Sequence, residues 1–213
     1  VGHGLRRPLT VRKGRLQGMI DGVFEPDEKS LRALVLQVDS LARLVEDLRT
    51  VTLADSGHLD LRLQPIRLKD EIERLAEALE QELKQDGFEL RLQLSDTRVS
   101  ADAMRIRQVL LALVTNARRY AVRGDVEISL QVENEQVMLR VTDEGPGLDA
   151  DIASSAFEPF RRGRQPHLLE KGGNGLGLSV VRAIVEAHGG KVRYAPSSKG
   201  GAMFEISLGR PVS

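Results

Sequence analysis

From Asp27 to about Thr52 the apolar positions Leu31, Leu34, Val38, Leu41, Val45 and Leu48 step alternately by three and four, the seam of a coiled coil. This predicts one long helix that needs a partner helix. The preceding segment supplies one, because Leu5, Leu9, Leu16, Met19 and Val23 keep the same stepping with Arg12 as the one interruption, and Gly22 to Pro26 breaks the two into a hairpin. Two helices with one apolar stripe each cannot enclose a core, so homodimerisation into a four-helix bundle is expected. Asp55-Ser56-Gly57-His58 reads as a linker, and beyond it the period changes.

Leu59 to Leu63 alternates like a strand. Lys69 to Gln85 predicts a helix with Ile72, Leu75, Ala76, Leu79 and Leu83 on one side, and Phe88 to Leu94 a strand with Phe88, Leu90, Leu92 and Leu94 inward. After Asp102 comes a helix to about Tyr120, with Ile106, Val109, Leu110, Leu113 and Ala117 as its buried stripe. Val126 to Val132 and Val137 to Asp143 read as paired strands about the turn Glu133-Asn134-Glu135-Gln136. A long polar stretch, Asp149 to Lys171, precedes a helix from Leu176 to His188 that stops at Gly189-Gly190. Strands over Lys191–Tyr194 and Ala202–Leu208 close the pattern. The predicted fold class is α+β: a helical hairpin, then an α/β sandwich with a mixed sheet packed on helices. No internal repeat is visible.

Composition narrows the partners. Lys and Arg number 31 against 31 Asp and Glu, so no net field draws the chain to nucleic acid or to an anionic membrane. With 41% hydrophobic residues the chain has enough apolar content for a core and is expected to be soluble, and no apolar run approaches the roughly 20 residues that span a bilayer. There is no cysteine, which excludes disulfides, thiolate metal sites and cysteine nucleophiles. The chain opens without Met inside a helical pattern, as a fragment of a longer protein would.

The chemistry lies near the C-terminal end. Asp143-Glu144-Gly145-Pro146-Gly147 and Gly173-Asn174-Gly175-Leu176-Gly177-Leu178 are two glycine runs, with Asn116 upstream on an amphipathic helix. Glycines let backbone N–H groups approach phosphate, and a helix beginning after Gly175 offers its N-terminus to an anion. Either run alone describes a turn, but their order and spacing describe a nucleotide pocket. Placed at 100° steps, Asn116 falls at the border between its helix's buried stripe and the polar face of Gln108, Ala112 and Arg119.

With these runs in place the chain resembles the cytoplasmic core of bacterial sensor histidine kinases, a dimerisation hairpin followed by a Bergerat-type ATP-binding domain. Its boxes occur in order over nearly the whole chain: His3-Gly4-Leu5-Arg6-Arg7-Pro8-Leu9 against HELRTPL, Asn116 to Tyr120 as the N box, Asp143 to Gly147 as DxGxG, Phe157-Glu158-Pro159-Phe160 as the F box, and Gly173 to Leu178. The resemblance implies residues 1–55 as the hairpin, 56–62 as a linker and 63–213 as the catalytic domain. It implies His3 as phosphoacceptor, Asn116 as a ligand to Mg²⁺ bridging the ATP phosphates, and Asp143 as acceptor from the adenine amino group. Arg119, Tyr120, Gly145, Gly147, Phe160, Arg161, Lys171, Gly173, Gly175, Leu176, Gly177 and Leu178 complete the nucleotide site it implies. Phe157, Phe160, Arg161, Arg162, Arg164 and Lys171 fall on a lid anchored by the phenylalanines, its cations facing phosphate. The implied partners are a second copy and the receiver domain of a response regulator. Membrane attachment belongs to segments outside this chain, so the implied location is the cytoplasmic portion of an inner-membrane sensor.

On a helical wheel His3 lies opposite the apolar stripe, where a second domain can reach it, and Pro8 is placed to kink the helix just after it. His58, His167 and His188 lack such surroundings. Two positions depart from the family pattern: Gly4 replaces the acidic residue that orients or deprotonates the imidazole, and Arg7 replaces the Thr or Asn tied to phosphatase action. Weak kinase and weak phosphatase activity are therefore expected. The rival is a nucleotide-gated dimeric module that docks and modulates a regulator without efficient catalysis. An ATP-hydrolysing machine is excluded because the glutamate such enzymes carry one turn before the asparagine is Ala112 here.

Overall fold

The computed structural model describes residues 17, 19, 21–23, 27–121, 124–161 and 173–212. The chain divides into two compact units, Val1–Glu46 and Asp47–Ser213. In the first, α1 (Glu28–Asp55) begins where Asp27 accepts the Ser30 amide at 2.6 Å, an N-cap that satisfies one of the first-turn donors. Its seam positions Leu31, Val38 and Val45 are largely exposed, as is Val35. The end of α1 belongs to the second unit, where Thr50 and Val51 are buried.

In the second unit, a five-stranded sheet of β2 (Phe88–Leu94), β4 (Gly124–Glu133), β5 (Gln136–Asp143), β6 (Lys191–Pro196) and β7 (Ala202–Ser207) has the order β2-β4-β5-β7-β6. The β2–β4 pair is parallel and the other pairs are antiparallel, so the sheet is mixed. Helices α2 (Leu68–Gln85), α3 (Ala103–Tyr120) and α5 (Gly177–Ala187) contribute Ile72, Leu83, Leu110, Leu113, Val181 and Ile184 to the core shared with Ile128, Leu139, Val141 and Ile206. A short helix, α4 (Ala150–Ala153), follows the first glycine run. The β4–β5 turn places Asn134 and Glu135 at φ 49° and 62°, the backbone of a two-residue hairpin matched to strand twist.

Among the described residues the predicted elements recur with shifted ends, apart from one strand; the expected first helix of the hairpin, from Leu5 to Val23, lies almost wholly outside them. Residues 58–63 carry no regular structure, and the strand begins later, at β1 (Gln64–Arg67). The Arg62 amide is spent on the Asp102 carboxylate at 3.0 Å rather than on a ladder, and Leu59 packs on the core alone. β1 pairs antiparallel with β3 (Arg98–Ala101), a strand whose four residues are too few to stand out by alternation. Helix α5 ends as read: the amides of Gly189 and Gly190 bond to Glu186 and Val185 carbonyls, closing a Schellman motif.

Asp102 organises the start of α3. One carboxylate oxygen accepts the amides of Met104 and Arg105 at 3.0 and 3.1 Å, the other that of Arg62, and the Asp102 amide donates to His188 Nε2 at 3.0 Å. His188 Nδ1 lies 2.8 Å from the Ile184 carbonyl, so the neutral Nδ1–H tautomer satisfies both bonds. Burial pushes the Asp102 carboxyl up, but the amides of Arg62, Arg105 and Met104 outweigh it and hold the group below the ordinary aspartate value. Its contribution is full above the unfolded aspartate pKa and is lost as pH falls through the lower folded value. We expect Asp102→Ala to cost about 2 kcal/mol in urea unfolding at neutral pH, with the gap to the parent closing in acid.

Candidate nucleotide site

The site assembles where α3, the β5 end and the α5 start meet. Asp143 is the last residue of β5 and is buried. Its Oδ1 accepts the Gly145 amide at 2.8 Å and the Ala202 amide at 3.2 Å. Oδ2 has no hydrogen bond to any described residue, and it is not among the sealed polar atoms, of which Ser95 Oγ is the one found among the described residues. Among the described residues it is left without a partner, as an available acceptor. Burial pushes the Asp143 carboxyl above the ordinary aspartate value, against the two amides that favour its charge.

The turn around Asp143 is clamped from the far strand. A methyl group on Gly201 would stand 2.0 Å from the Asp143 carbonyl oxygen and 2.7 Å from the Gly145 nitrogen, so only glycine lets the β6–β7 turn press against it. On the other side Gly145 packs against Ala121, the C-cap of α3. The DEGPG turn thus abuts the C-terminal end of the helix carrying Asn116, Arg119 and Tyr120, all three half-buried. The Asn116 side chain has no hydrogen-bond partner among the described residues. Arg119 lies against Gly173, its guanidinium without a carboxylate partner among them.

Gly173 and Gly175 are half-buried and Leu176 is fully buried, which fixes the glycine run to the core. α5 starts at Gly177, also at the surface, and Leu178 packs against the core. No side chain among the described residues caps α5, so its first amides are open to an anion. The F box meets this run through backbone: the Phe160 amide donates to the Gly175 carbonyl at 2.7 Å, and Gly175, at φ 68°, has Phe160 and Arg161 backbone where a side chain would begin. Phe157 anchors by its ring, edge-on to Phe204 at 6.3 Å. Phe160 differs from the expectation that both phenylalanines anchor the stretch: the residue is 43% exposed, its φ is 64°, and its tie among the described residues is the main chain. Arg161 pairs with Glu158 at 3.0 Å on the surface.

His3, Gly4, Arg7, Pro8, Arg162, Arg164, His167 and Lys171 lie outside the described residues. Sequence reasoning missed Gly201, the Ala202 amide and Tyr194, whose hydroxyl accepts the Leu148 amide at 2.9 Å. The Gly200-Gly201 doublet was the available signal, but it reads only as a turn between strands.

A metal ion fits the donor set only with help from its ligand. No group of three or more His, Asp or Glu side chains among the described residues is placed to hold one. Asn116 offers one neutral oxygen and Arg119 a cation, which suits an ion that arrives with phosphate oxygens of its own.

Residues 101–211 match the family described as histidine kinase-, DNA gyrase B- and HSP90-like ATPase. The histidine kinase AdeS of Acinetobacter baumannii superposes with a TM-score of 0.84 at 38% identity, covering 99% of this chain and 98% of its own. The signal transduction histidine-protein kinase BaeS of Escherichia coli K12 is 32% identical over 98% of this chain and 45% of its own length. Full-length ShkA, solved in complex with AMPPNP, superposes at TM-score 0.75 and 26% identity over 87% of this chain and 39% of that one. The chain therefore spans less than half of BaeS.

Proposed function

We infer function from membership: the chain belongs to the bacterial two-component sensor histidine kinases, and on that premise it is the core that binds ATP and phosphorylates its own His3. The observation that carries this reading is the half-satisfied Asp143 carboxylate, buried, held by two amides and offering its free oxygen beside two glycine runs. That oxygen is an acceptor for the adenine amino group. The first-turn amides of α5, and Arg119, which has no carboxylate partner among the described residues, suit the phosphates. ShkA was solved with an ATP analogue, and the same nucleotide class fits here.

Asn116 would hold Mg²⁺, which would supply positive charge to offset that of the phosphates. A neutral imidazole nitrogen of His3 attacks the γ-phosphorus, the bond to the bridging oxygen breaks, and ADP leaves. The phosphoryl group then passes to an aspartate of a response regulator. The exposed seam of α1 supports burial against a second copy, giving the four-helix bundle of a homodimer. We assign 1–55 to the hairpin, 56–62 to a linker and 63–213 to the ATP-binding domain, with the end of α1 packed into the second unit. Among the described residues no helix is long and apolar enough to cross a membrane. The cytoplasmic face of a membrane sensor remains the proposed place of action.

Gly4 removes the carboxylate that would polarise the imidazole, and Arg7 the side chain tied to phosphatase action, so both activities are weak. These two positions also favour the second reading, a docking module of low catalytic power. Incubation with γ-labelled ATP and Mg²⁺ tests both. We expect slow labelling of the parent, none in His3→Gln, labelling in Asn116→Asp reduced by about two orders of magnitude or more, and about ten-fold faster labelling in Gly4→Glu. Labelling of His3→Gln equal to the parent would remove His3 as acceptor. A parent that binds ATP but stays unlabelled would leave the docking module.

A further inference from the structure

We propose that Tyr194 is a positioning residue for adenine recognition, holding the Asp143 turn through its hydroxyl without touching the nucleotide. The inference rests on the nucleotide reading above and adds a residue that no sequence motif contains. Tyr194 sits on β6, opposite Phe204 of β7, on the face of the sheet that carries the core. Its ring packs on Phe204 with centroids 5.8 Å apart, and Phe204 in turn receives the edge of Phe157. The hydroxyl accepts the Leu148 amide at 2.9 Å and lies against Gly147. One side chain therefore joins the strand edge, the far end of the DEGPG turn and, through Phe204, the start of the F box.

The geometry explains why that bond bears on the adenine acceptor. Asp143 is fixed at the near end of its turn by the Gly145 and Ala202 amides, and Gly201 blocks its backbone from moving toward β7. The far end, Gly147-Leu148, is outside the strand ladder. Among the described residues Leu148 packs its side chain on the core and Gly147 lies against the Gly201 backbone, while the hydrogen bond that holds this end is the one Leu148 donates to Tyr194 Oη. With phenylalanine the ring keeps its place against Phe204, but the Leu148 amide loses its acceptor and the turn gains freedom. The open Asp143 oxygen is then less well aimed at a donor on the purine, which affects base recognition more than phosphate binding.

The test compares the parent with Tyr194→Phe, displacing a fluorescent ADP with ADP and with GDP, alongside melting without nucleotide. We expect the variant to melt within a few degrees of the parent, to bind ADP about ten-fold more weakly and to bind GDP within about two-fold, narrowing the preference for adenine. A variant with parental ADP affinity overturns the proposal. So does one that loses ADP and GDP in equal proportion, or one whose weaker binding follows a large fall in melting temperature, because Tyr194 would then act on the fold alone. A parent that binds no ADP overturns the nucleotide reading itself, and this inference with it.

Discussion

Asp143→Asn should weaken ADP binding by about a hundred-fold or more while leaving the fold intact. The asparagine oxygen can take the place of Oδ1 and keep the amides of Gly145 and Ala202, so the turn stays closed. The other oxygen becomes an NH₂, and a donor then faces the donor on adenine. The buried charge is removed at the same time, so melting without nucleotide should not fall. The pH dependence has a definite sign. Because burial raises the folded pKa of Asp143, acceptance by an ionised carboxylate is lost on acidification at a pH above the ordinary aspartate value. Parental ADP affinity should therefore fall through that range, and the Asn variant should show no such step. Displacement of fluorescent ADP over a pH series reads both effects.

Gly201→Ala should cost the second unit about 3 kcal/mol or more. The new methyl group would overlap the Asp143 carbonyl oxygen at 2.0 Å, its carbon at 2.7 Å and the Gly145 nitrogen at 2.7 Å, all backbone atoms that cannot swing aside. Relief requires the β6–β7 turn to part from the DEGPG turn, which breaks the Ala202 to Asp143 bond and removes the adenine acceptor from its place. The neighbouring glycine is the control. A methyl on Gly200 meets nothing within 4 Å, although φ 92° strains it, so Gly200→Ala should cost only about 1 kcal/mol. Urea unfolding of the two variants checks the contrast. Equal losses at the two positions would mean that the contact with Asp143 is not what holds the turn.

Much of this fold was legible because its elements are amphipathic over most of their length, although Leu92, read as inward, is exposed on β2, as is Val132 near the end of β4. The buried stripe of α3, Ile106 to Ala117, and the inward residues of β4 and β5 follow the periods that place them. Legibility failed where backbone bonds leave the ladder or where an element is short. Leu59 to Leu63 alternates as a strand does, yet the Arg62 amide is taken by Asp102, forty residues away in sequence. The four residues of β3 show two buried positions, Val99 and Ala101, too short a record to predict a strand.

The candidate site divides in the same way. Its glycine runs and Asn116 stand out in the sequence because a phosphate ligand would demand backbone approach and a metal would demand oxygen. The supports could not. Gly201, the Ala202 amide and Tyr194 act through contacts across the sheet that no local spacing encodes. Phe160 shows the converse, a motif aromatic whose tie is its backbone amide rather than its ring.

The central claim is that the Asp143 turn, the glycine run of α5 and the end of α3 form one nucleotide pocket. Calorimetric titration of the chain with AMPPNP in the presence of Mg²⁺ tests it most directly. The expected result is saturable binding at one nucleotide per chain, absent when Asp143→Asn is titrated under the same conditions. No heat of binding with the folded parent, or identical isotherms for parent and variant, would contradict it.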